Sequence, residues 1–516
     1  MPREAGVNPD DILKAAMAAF AEGRYADAAA GFRHLLADHP DVGELHLNLG
    51  ASLRALGDAK GAEAACRRAT EMLPDKGMAW FNLANACRDL GQFDTARDAY
   101  TRADTLMPGT PEVQNNLGLL LAEAGQAKEA LVWFDKALAA RPDFSDALTN
   151  RGNAYQRAGD YAAARADLQA ALAIQPGNPV FRLNMSAHLA AAGDHAEALA
   201  WAERALEADP SYVEAELKRA SLLIQMGEFG QGLKAYEARW RKPGWHTLLD
   251  KLKTPQWHSE DLAGKHLLVW NEQGFGDALM YARFLPDLAN KADKLTFLCE
   301  KPLMSIMSRS LSGCEARDLS APPPAADLHV SLMSVPYRLG LTLETIPAEV
   351  PYLRPDPEKV DAWKARLGDG PNVGVIWAGN PKQAHDYARS IPPNTFAPLL
   401  DTPGVNFVSL QVGPRGDEID HPALLDVRAD LKDFDDTAAL MSALDLIVSV
   451  DSAPAHLAGA LGCPTLILLA FDPDSRYLLG REDCPWYPSA RLIRQRTPGD
   501  WPDVIARTRT LIEETA

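Results

Sequence analysis

The sequence predicts an all-α repeat array followed by an α/β region built as two domains with parallel sheets. Three observations lead to this prediction. A period of 34 residues runs from about residue 10 to residue 240, short apolar runs alternate with helical patterns from residue 265 onward, and residues 241–264 follow neither pattern. A chain of 516 residues is long enough for several domains of this kind.

Each 34-residue unit carries the same three signals. A glycine ends the first helix of a pair in the left-handed conformation, a small residue five positions later lets the second helix pack closely, and a proline stops the second helix. The glycines are Gly23, Gly57, Gly91, Gly125, Gly159, Gly193 and Gly227; the small residues are Ala28, Ala62, Ala96, Ala130, Ala164, Ala198 and Gly232; the prolines are Pro40, Pro74, Pro108, Pro142, Pro176 and Pro210. This spacing resembles the tetratricopeptide repeat. We expect six clear units and a weaker one at residues 9–42, within an array that spans residues 1–240.

The same step returns an asparagine to one position of the first helix, at Asn48, Asn82, Asn116, Asn150 and Asn184. In tetratricopeptide repeats the first helix lines the inner face of the array, which places one amide per repeat on that face. Because an amide both donates and accepts, a column of asparagines can bind the backbone of an extended protein acceptor. This arrangement resembles the asparagine ladder of the O-linked N-acetylglucosamine transferases. In the alternative interpretation, each asparagine bonds a neighbouring repeat or was copied by duplication without a role.

Residues 241–264 contain prolines and two tryptophans, and we interpret them as a linker. The first α/β domain is then expected at residues 265–350, the second at 351–496 and a C-terminal helix at 497–516. Strands are predicted at 266–270, 294–300, 326–332, 372–379, 405–413, 445–450 and 464–470, and helices at 277–291, 436–444 and 454–462. Two successive units of this kind predict two Rossmann-like domains that face each other across a cleft.

Ligands of such sheets bind outside the carboxyl ends of the strands, and the loop "NEQGFGD" (271–277) follows the first strand. Gly274 and Gly276 would let the backbone approach a ligand closely. Asp277 begins a helix. Its carboxylate either caps that helix or serves as a general base at the cleft.

A second loop, "WAGNPKQAHDYARSIP" (377–392), concentrates polar and charged residues after a buried strand: Asn380, Lys382, His385 and Arg389. A solvated loop would explain these residues equally simply. At the edge of a ligand, however, lysine and arginine would neutralise a departing phosphate.

Two further strand ends carry candidate ligand-binding residues. Gln411 ends one predicted strand, and Asp451 and Ser452 end another and open the small-residue helix of "SVDSAPAHLAGALG" (449–462). The free N–H groups of a helix N-terminus form a ready anion site. His456 lies one turn into this helix, where a packed or capping histidine is the alternative to a ligand-binding one.

These loops resemble the heptosyltransferase family of GT-B glycosyltransferases over about residues 265–496, most strongly in "VSVDSAPAHLAGALGCP". The resemblance implies that Asp277 is the base and that Arg389 contacts phosphate. It also implies that a nucleotide-sugar loop contains Asp451, Ser452, Ala453 and His456. The remaining donor-binding candidates are Gly274, Gly276, Asn380, Lys382 and Gln411. The chain departs from heptosyltransferases in its repeats and in the stretch "DSRYLLGREDCPWYP".

The combined layout resembles the bacterial tetratricopeptide–GT-B proteins that glycosylate flagellin. That resemblance implies a CMP-activated nonulosonic acid, such as pseudaminic acid, as the donor and serine or threonine as the acceptor. We therefore expect a protein O-glycosyltransferase that works by direct displacement, without metal or cofactor. Two alternatives remain open: a lipopolysaccharide glycosyltransferase whose repeats dock a partner, and a non-catalytic adaptor.

Composition sets further limits. The net charge of −18 argues against nucleic acid as the main partner, because nucleic-acid-binding proteins usually present a basic face. The N-terminus lacks the apolar core of a signal peptide, and no apolar run is long enough to cross a bilayer. The six cysteines are scattered, which favours a reducing cytoplasm.

The acidic pairs "DPD" (472–474) and "DFD" (433–435) fit turn or helix-start positions better than a metal site.

Overall fold

The computed structural model describes residues 8–242, 252–383 and 386–515. The chain divides into two compact units, one up to His188 and the other from Leu189 onward. The predicted linker therefore lies partly outside the described residues. Among the described helices, none combines the length and the apolar character that crossing a bilayer requires.

Consecutive helices form pairs in which the second helix packs on the first. The pairs are α1 (Pro9–Ala21) and α2 (Tyr25–Asp38), α3 (Gly43–Ala55) and α4 (Ala59–Met72), α5 (Gly77–Asp89) and α6 (Phe93–Leu106), α7 (Pro111–Glu123) and α8 (Ala127–Ala140), α9 (Ser145–Arg157) and α10 (Tyr161–Ile174), and α13 (Val213–Gln225) and α14 (Phe229–Tyr236). The chain also forms α11 (Pro179–Ala191) and α12 (His195–Ala208) between the last two of these pairs. The unit expected to be weak, residues 9–42, forms a helical pair like the others. In the first unit, α3, α5, α7 and α9 also contact one another in succession.

The predicted roles of the repeat glycines, small residues and prolines are confirmed. All seven repeat glycines have positive φ angles, between 72° and 94°. The six repeat alanines are fully buried, and a Cβ atom at Gly232 would lie 2.6 Å from the Ile224 side chain. Each second helix from α2 to α12 ends two residues before its proline. Close helix packing therefore requires the small residues at these positions.

The second unit contains two parallel sheets. The first has the order β3-β2-β1-β4, and the second has the order β10-β9-β8-β5-β6-β7. The strands are β1 (His266–Trp270), β2 (Lys294–Cys299), β3 (Cys314–Asp318), β4 (Leu328–Ser331), β5 (Asn372–Ile376), β6 (Asn406–Ser409), β7 (Leu424–Asp426), β8 (Leu446–Val450), β9 (Thr465–Leu469) and β10 (Ala490–Arg494). In the register of the first sheet, Leu267 of β1 pairs with Leu295 and Leu328.

Helices connect these strands. They are α15 (Phe275–Tyr281), α16 (Leu285–Lys291), α17 (Met304–Ser310), α18 (Val335–Arg338), α19 (Pro357–Lys364), α20 (Asp386–Arg389), α21 (Pro393–Phe396), α22 (Phe434–Met441), α23 (Ala453–Leu461) and α24 (Trp501–Thr515). One continuous hydrophobic core contains residues from both sheets, from their helices and from α13 and α14. The second unit therefore holds the end of the repeat array together with both sheets.

All seven predicted strands are confirmed, and the three strands that were not predicted lie at sheet edges. β3 is polar and mostly half-buried, β7 has three residues, and β10 alternates apolar residues with arginine. Edge strands need only one buried face, so they lack the continuous apolar run of central strands. The helix predicted at 277–291 is two helices, because Pro286 cannot continue α15 and instead begins α16.

The order of the strands locates the place where a ligand would bind. Chain order reverses between β1 and β4 in the first sheet, and between β5 and β8 in the second. Such switch points open a crevice at the carboxyl ends of the strands. The loops after β1, β5 and β8 are the ones in which the sequence placed candidate ligand-binding residues.

Candidate functional site

A cavity of about 970 Å³ opens at these switch points in the second unit. Its walls are formed by the loops after β1, β5, β6 and β8, by the segment after β9, and by α13 and α14. This volume lies at the upper end of the range of about 300–1,000 Å³ that is typical of small-molecule sites. The site is therefore large enough for a ligand of nucleotide size.

Asp277 lies in the cavity wall at the first turn of α15, where its carboxylate has two partners. Oδ2 accepts a hydrogen bond from the backbone N–H of Gly274 at 3.2 Å, so the predicted capping role is confirmed. Oδ1 accepts from Nη1 of Arg476, at 2.5 Å. Burial raises the pKa of Asp277, and the guanidinium of Arg476 opposes that rise.

Gly276 lies where a helix of the first sheet, α15, contacts a helix of the second sheet, α23. A Cβ atom at this position would lie 2.9 Å from Cδ2 of His456 and 3.4 Å from Cα of Ala453. Gly276 thus permits contact between α15 and α23, in addition to lining the cavity. Gly274 also lines the cavity, with φ −69° and only Asp277 Oδ2 within 4 Å of its Cβ position.

The loop after β1 is held in place by a buried ion pair. Glu272 accepts hydrogen bonds from Nε and Nη2 of Arg239 at 3.0 and 2.7 Å, and Arg239 is fully buried. Arg239 also donates to Glu237 and to Ser334. A single buried guanidinium therefore ties the end of the repeat array to the loop that carries Asp277.

The loop after β5 brings two arginines to one buried carboxylate. Asp386 accepts from Nε of Arg389 at 3.2 Å and pairs with Nη2 of Arg415 at 2.7 Å. Both arginines line the cavity, and so does Asn380, whose side chain accepts from the backbone N–H of Lys382 at 3.1 Å. Arg415 Nε also lies 4.0 Å from a carboxylate oxygen of Glu418. The two guanidinium groups line the cavity, whereas neither Asp386 nor Glu418 belongs to its lining.

Two residues predicted in that loop do not join the cluster. Lys382 is exposed and does not belong to the lining of the cavity. His385 lies outside the described residues. Gln411 does line the cavity, and its Oε1 accepts from the backbone N–H groups of Trp377 and Ala378 at 3.1 and 2.9 Å. Gln411 therefore holds the end of β5 in place.

The loop after β8 places Asp451, Ser452, Ala453 and His456 in the wall of the cavity. Asp451 Oδ1 accepts from the hydroxyl of Tyr477 at 3.1 Å, and burial raises the pKa of Asp451 to about 6. Ser452 begins α23, and its hydroxyl lies 3.1 Å from that of Ser449.

His456 is packed between aromatic rings. Its ring stacks on that of Tyr477 at 6.1 Å, and its Nδ1 lies 3.1 Å from the hydroxyl of Tyr487. Burial holds the pKa of His456 well below its usual range, so the imidazole is neutral. These contacts match the alternative of a packed histidine, and one edge of the ring still reaches the cavity wall.

The acidic pairs of the sequence have structural partners. Asp433 accepts from the backbone N–H groups of Asp435 and Asp436 and caps α22. Asp472 accepts from Nε2 of Gln225 at 2.8 Å, and Asp474 forms an ion pair with Arg476. In the part of the chain that the structure describes, no group of three or more His, Cys, Asp or Glu side chains is placed to hold a metal ion.

Sequence reasoning missed the basic residues Arg415, Lys432 and Arg476 in the cavity lining. One feature of the sequence could have drawn attention to Arg476: it lies in "DSRYLLGREDCPWYP", the stretch that departs from heptosyltransferases. Arg415 and Lys432 lie between predicted strands, where charged loop residues are common. Only the folded chain shows that these side chains share a cavity.

The asparagine column lies in the first unit, and all five side chains are half-buried. Asn116 Nδ2 donates to Oδ1 of Asn85, and Asn150 Nδ2 donates to Oδ1 of Asn115, both at 3.0 Å and both in the preceding repeat. The amides of Asn48, Asn82 and Asn184 make no hydrogen bond to another described side chain. Two asparagines thus bridge repeats, and three keep their amides available.

The repeats and the two parallel sheets define the class of this chain: a helical repeat array followed by an α/β region with a cavity at the strand ends. Residues 13–76, 67–111, 81–143 and 149–213 match the tetratricopeptide repeat family. Residues 430–499, which contain α22, β8, α23, β9 and Arg476, match glycosyltransferase family 9 (heptosyltransferase). The prediction of tetratricopeptide repeats joined to a heptosyltransferase-like region is therefore confirmed.

One similar protein is Protein FlbA of Caulobacter vibrioides. It is 32% identical over 333 residues, an alignment that covers 58% of this chain and 55% of FlbA. The chain thus spans about half the length of this relative. Among solved structures, a tetratricopeptide repeat protein from Parabacteroides merdae is 16% identical with a TM-score of 0.42, covering 47% of this chain and 96% of that one. The MamA protein is 21% identical with a TM-score of 0.30, covering 33% and 92%.

The close approach at Gly276 can be tested by stability. Gly276→Ala should lower the free energy of unfolding by about 1–3 kcal/mol, because His456 is held by Tyr477 and Tyr487 and cannot easily move. Gly274→Ala is the matched control, since its φ suits alanine and its Cβ position is open. Urea denaturation followed by circular dichroism measures both. Equal effects of the two substitutions would contradict the packing role of Gly276.

The bridging asparagines can be separated from the others in the same way. Asn150→Ala should lower the free energy of unfolding by about 1–3 kcal/mol, because it leaves the buried Oδ1 of Asn115 without its donor. Asn82→Ala removes no side-chain hydrogen bond and should be neutral or slightly stabilising, by up to roughly 0.7 kcal/mol. The measurement is the urea midpoint of the full chain, and a larger loss from Asn82→Ala would refute this assignment.

Proposed function

We propose that the chain is a protein O-glycosyltransferase. It transfers a sugar from a nucleotide-activated donor bound in the cavity to a serine or threonine hydroxyl of a protein captured by the repeats. The observation that carries the proposal is the composition of the cavity. Strand-end loops of both sheets place four basic side chains, a helix N-terminus and the carboxylate of Asp277 around a space of nucleotide size.

The basic cluster supports an anionic donor. Arg389 and Arg415 line the cavity while their carboxylate partners Asp386 and Glu418 do not, and Lys432 adds a further cation just before α22. The N-terminus of α23 carries the partial positive charge of a helix end, although Pro454 there has no N–H to donate. These groups would bind the phosphate of the donor and stabilise the negative charge that develops on it as the glycosidic bond breaks.

Asp277 supports the role of base. The acceptor hydroxyl would donate its proton to the carboxylate of Asp277 while its oxygen attacks the anomeric carbon, and the nucleotide phosphate would leave with the bonding electron pair. A single displacement of this kind inverts the anomeric configuration. Burial raises the pKa of Asp277, which brings a carboxylate closer to the basicity that proton abstraction near neutral pH favours. In this GT-B type of mechanism the protein's own cations stabilise the leaving group, so no metal is needed.

The wall formed by the last repeat supports an acceptor that approaches from the array. Leu217, Ser221 and Ile224 of α13 line the cavity at helical spacing, and so do Phe229, Leu233 and Tyr236 of α14. This wall is largely apolar, in contrast to the basic loops of the second sheet. A polypeptide segment fits such a wall better than a second highly charged ligand does. By the resemblance to flagellin-modifying proteins, we propose flagellin as a candidate acceptor and a CMP-linked nonulosonic acid as a candidate donor.

The test of the function is transfer to a co-expressed acceptor. Intact-mass analysis of candidate acceptor proteins should show a sugar increment with the wild-type chain. Asp277→Asn should reduce the rate of transfer by roughly 10²–10⁴-fold, because it removes the proton acceptor. Asp318→Asn is the matched control, since Asp318 ends β3 in the same sheet but lies outside the cavity lining. An unmodified acceptor in every combination would overturn the proposed function.

The same assay gives the pH dependence. Only the ionised carboxylate accepts a proton, so kcat/KM should rise with pH through the pKa of Asp277 and level off above it. Since burial raises that pKa, the rise should lie above the ordinary aspartate value of 3.8. A kcat/KM that falls over this range would exclude Asp277 as the base.

The asparagine column gives a test of acceptor binding. Replacing Asn48, Asn82 and Asn184 together by alanine should raise the KM for the acceptor by at least about tenfold, because three available amides are lost at about 0.5–1.5 kcal/mol each. Hydrolysis of the sugar donor in the absence of acceptor should be unchanged in the same variant and serves as its internal control. An unaltered KM would mean that these amides do not bind the acceptor.

A further inference from the structure

Arg476 contacts two carboxylates that come from different sheets. Its Nε and Nη2 donate to Oδ1 and Oδ2 of Asp474 at 2.7 and 3.0 Å, which is a bidentate pair. Its Nη1 donates to Oδ1 of Asp277. The side chain is 16% exposed, and it lines the cavity together with both of its partners. The guanidinium therefore borders the cavity while it holds the carboxylate proposed as the base.

The backbone around Arg476 is anchored, so that only the guanidinium has freedom to change partners. Trp486 Nε1 donates to the carbonyl oxygen of Arg476 at 2.9 Å, and the N–H of Arg476 donates to Asp474 at 3.0 Å. Asp474 holds two of the guanidinium nitrogens, whereas Asp277 is bound through one. The contact with Asp277 is thus the one that a competing anion would replace with the smallest rearrangement.

We propose that Arg476 couples donor binding to the reactivity of Asp277. In the structure, Arg476 holds the Asp277 carboxylate. When an anionic donor enters, Nη1 moves its hydrogen bond from Asp277 to the acidic group of the donor, and the carboxylate becomes free to accept the proton of the acceptor. This role rests on the proposed function, and Arg476 acts in it as a positioning residue for the base.

The surroundings of Asp277 make this exchange effective. The titratable and charged groups that face it are Arg476 and Asp474 after β9, Tyr281 on α15, Tyr236 on α14, Glu300 after β2 and the neutral His456 on α23. Arg476 is the permanent cation of this set. The other carboxylates, Asp474 and Glu300, carry the same negative charge as Asp277 and therefore oppose its ionisation. Loss of the Arg476 contact therefore makes Asp277 more basic at the moment when the donor is bound.

The test is a double-mutant cycle on nucleotide affinity. Isothermal titration calorimetry with CMP, UDP, GDP and ADP is carried out on the full chain as wild type, Asp277→Asn, Arg476→Met and the double variant. Asp277→Asn should tighten binding of the nucleotide by about tenfold, because Arg476 no longer has to leave a carboxylate. In the Arg476→Met background the same substitution should change the affinity by less than about threefold.

Two further variants serve as controls for the double-mutant cycle. Arg476→Lys keeps the charge and loses the bidentate fork, so it should retain part of the coupling if Arg476→Met fails to fold. Glu300→Gln removes another carboxylate of the cavity, one that bonds Asn271, and its effect should be the same with or without Arg476.

The outcomes are distinguishable. An equal gain in affinity from Asp277→Asn in both backgrounds would reduce the effect to simple charge repulsion and overturn the coupling, while leaving the proposed function in place. Failure of every nucleotide to bind either the wild type or Asp277→Asn would overturn the proposed function itself, and the coupling with it.

Discussion

The site depends on one close contact, the approach of α15 to α23 at Gly276. A side chain at this position would collide with His456, whose ring is fixed between Tyr477 and Tyr487. Because the first turns of these two helices meet, the loop that carries Asp277 and the loop that carries Asp451 open onto the same cavity. Arg283, just after α15, donates to the carbonyl oxygen of Trp486 at 2.7 Å and so ties the first sheet's helices to the segment before β10. Residues of two separate sheets thereby act as one site.

Charge at this site is organised locally and does not follow the net charge of −18. Around Asp386, the guanidinium groups of Arg389 and Arg415 line the cavity, while neither Asp386 nor Glu418 belongs to its lining. Around Arg476, two carboxylates share one guanidinium, and all three groups line the cavity. The cavity wall therefore carries a basic cluster and a second cluster in which negative charge is in excess.

The sequence was sufficient to predict whatever depends on short-range pattern. The repeat glycines and prolines punctuate helices whatever the tertiary contacts, and strands buried on both faces read as continuous apolar runs. Edge strands such as β3 lack that run. The Arg476–Asp277 pair joins residues 199 positions apart, and nothing local marks Arg476 as the partner of Asp277. Lys382 shows the opposite error: the sequence predicted it as a donor-binding residue in the loop after β5, and the structure places it outside the cavity lining.

The repeat array contributes to both compact units in different ways. In the first unit, the side-chain N–H groups of Asn116 and Asn150 donate to asparagines of the preceding repeat, so these two residues of the column stabilise the stacking of repeats. In the second unit, α13 and α14 form a wall of the cavity, and Gln225 anchors α13 to Asp472 after β9. Arg239 then ties the end of the array to the loop of Asp277 through Glu272. The last repeat is therefore a wall of the cavity as well as the end of the repeat array, and its removal would open the cavity on that side.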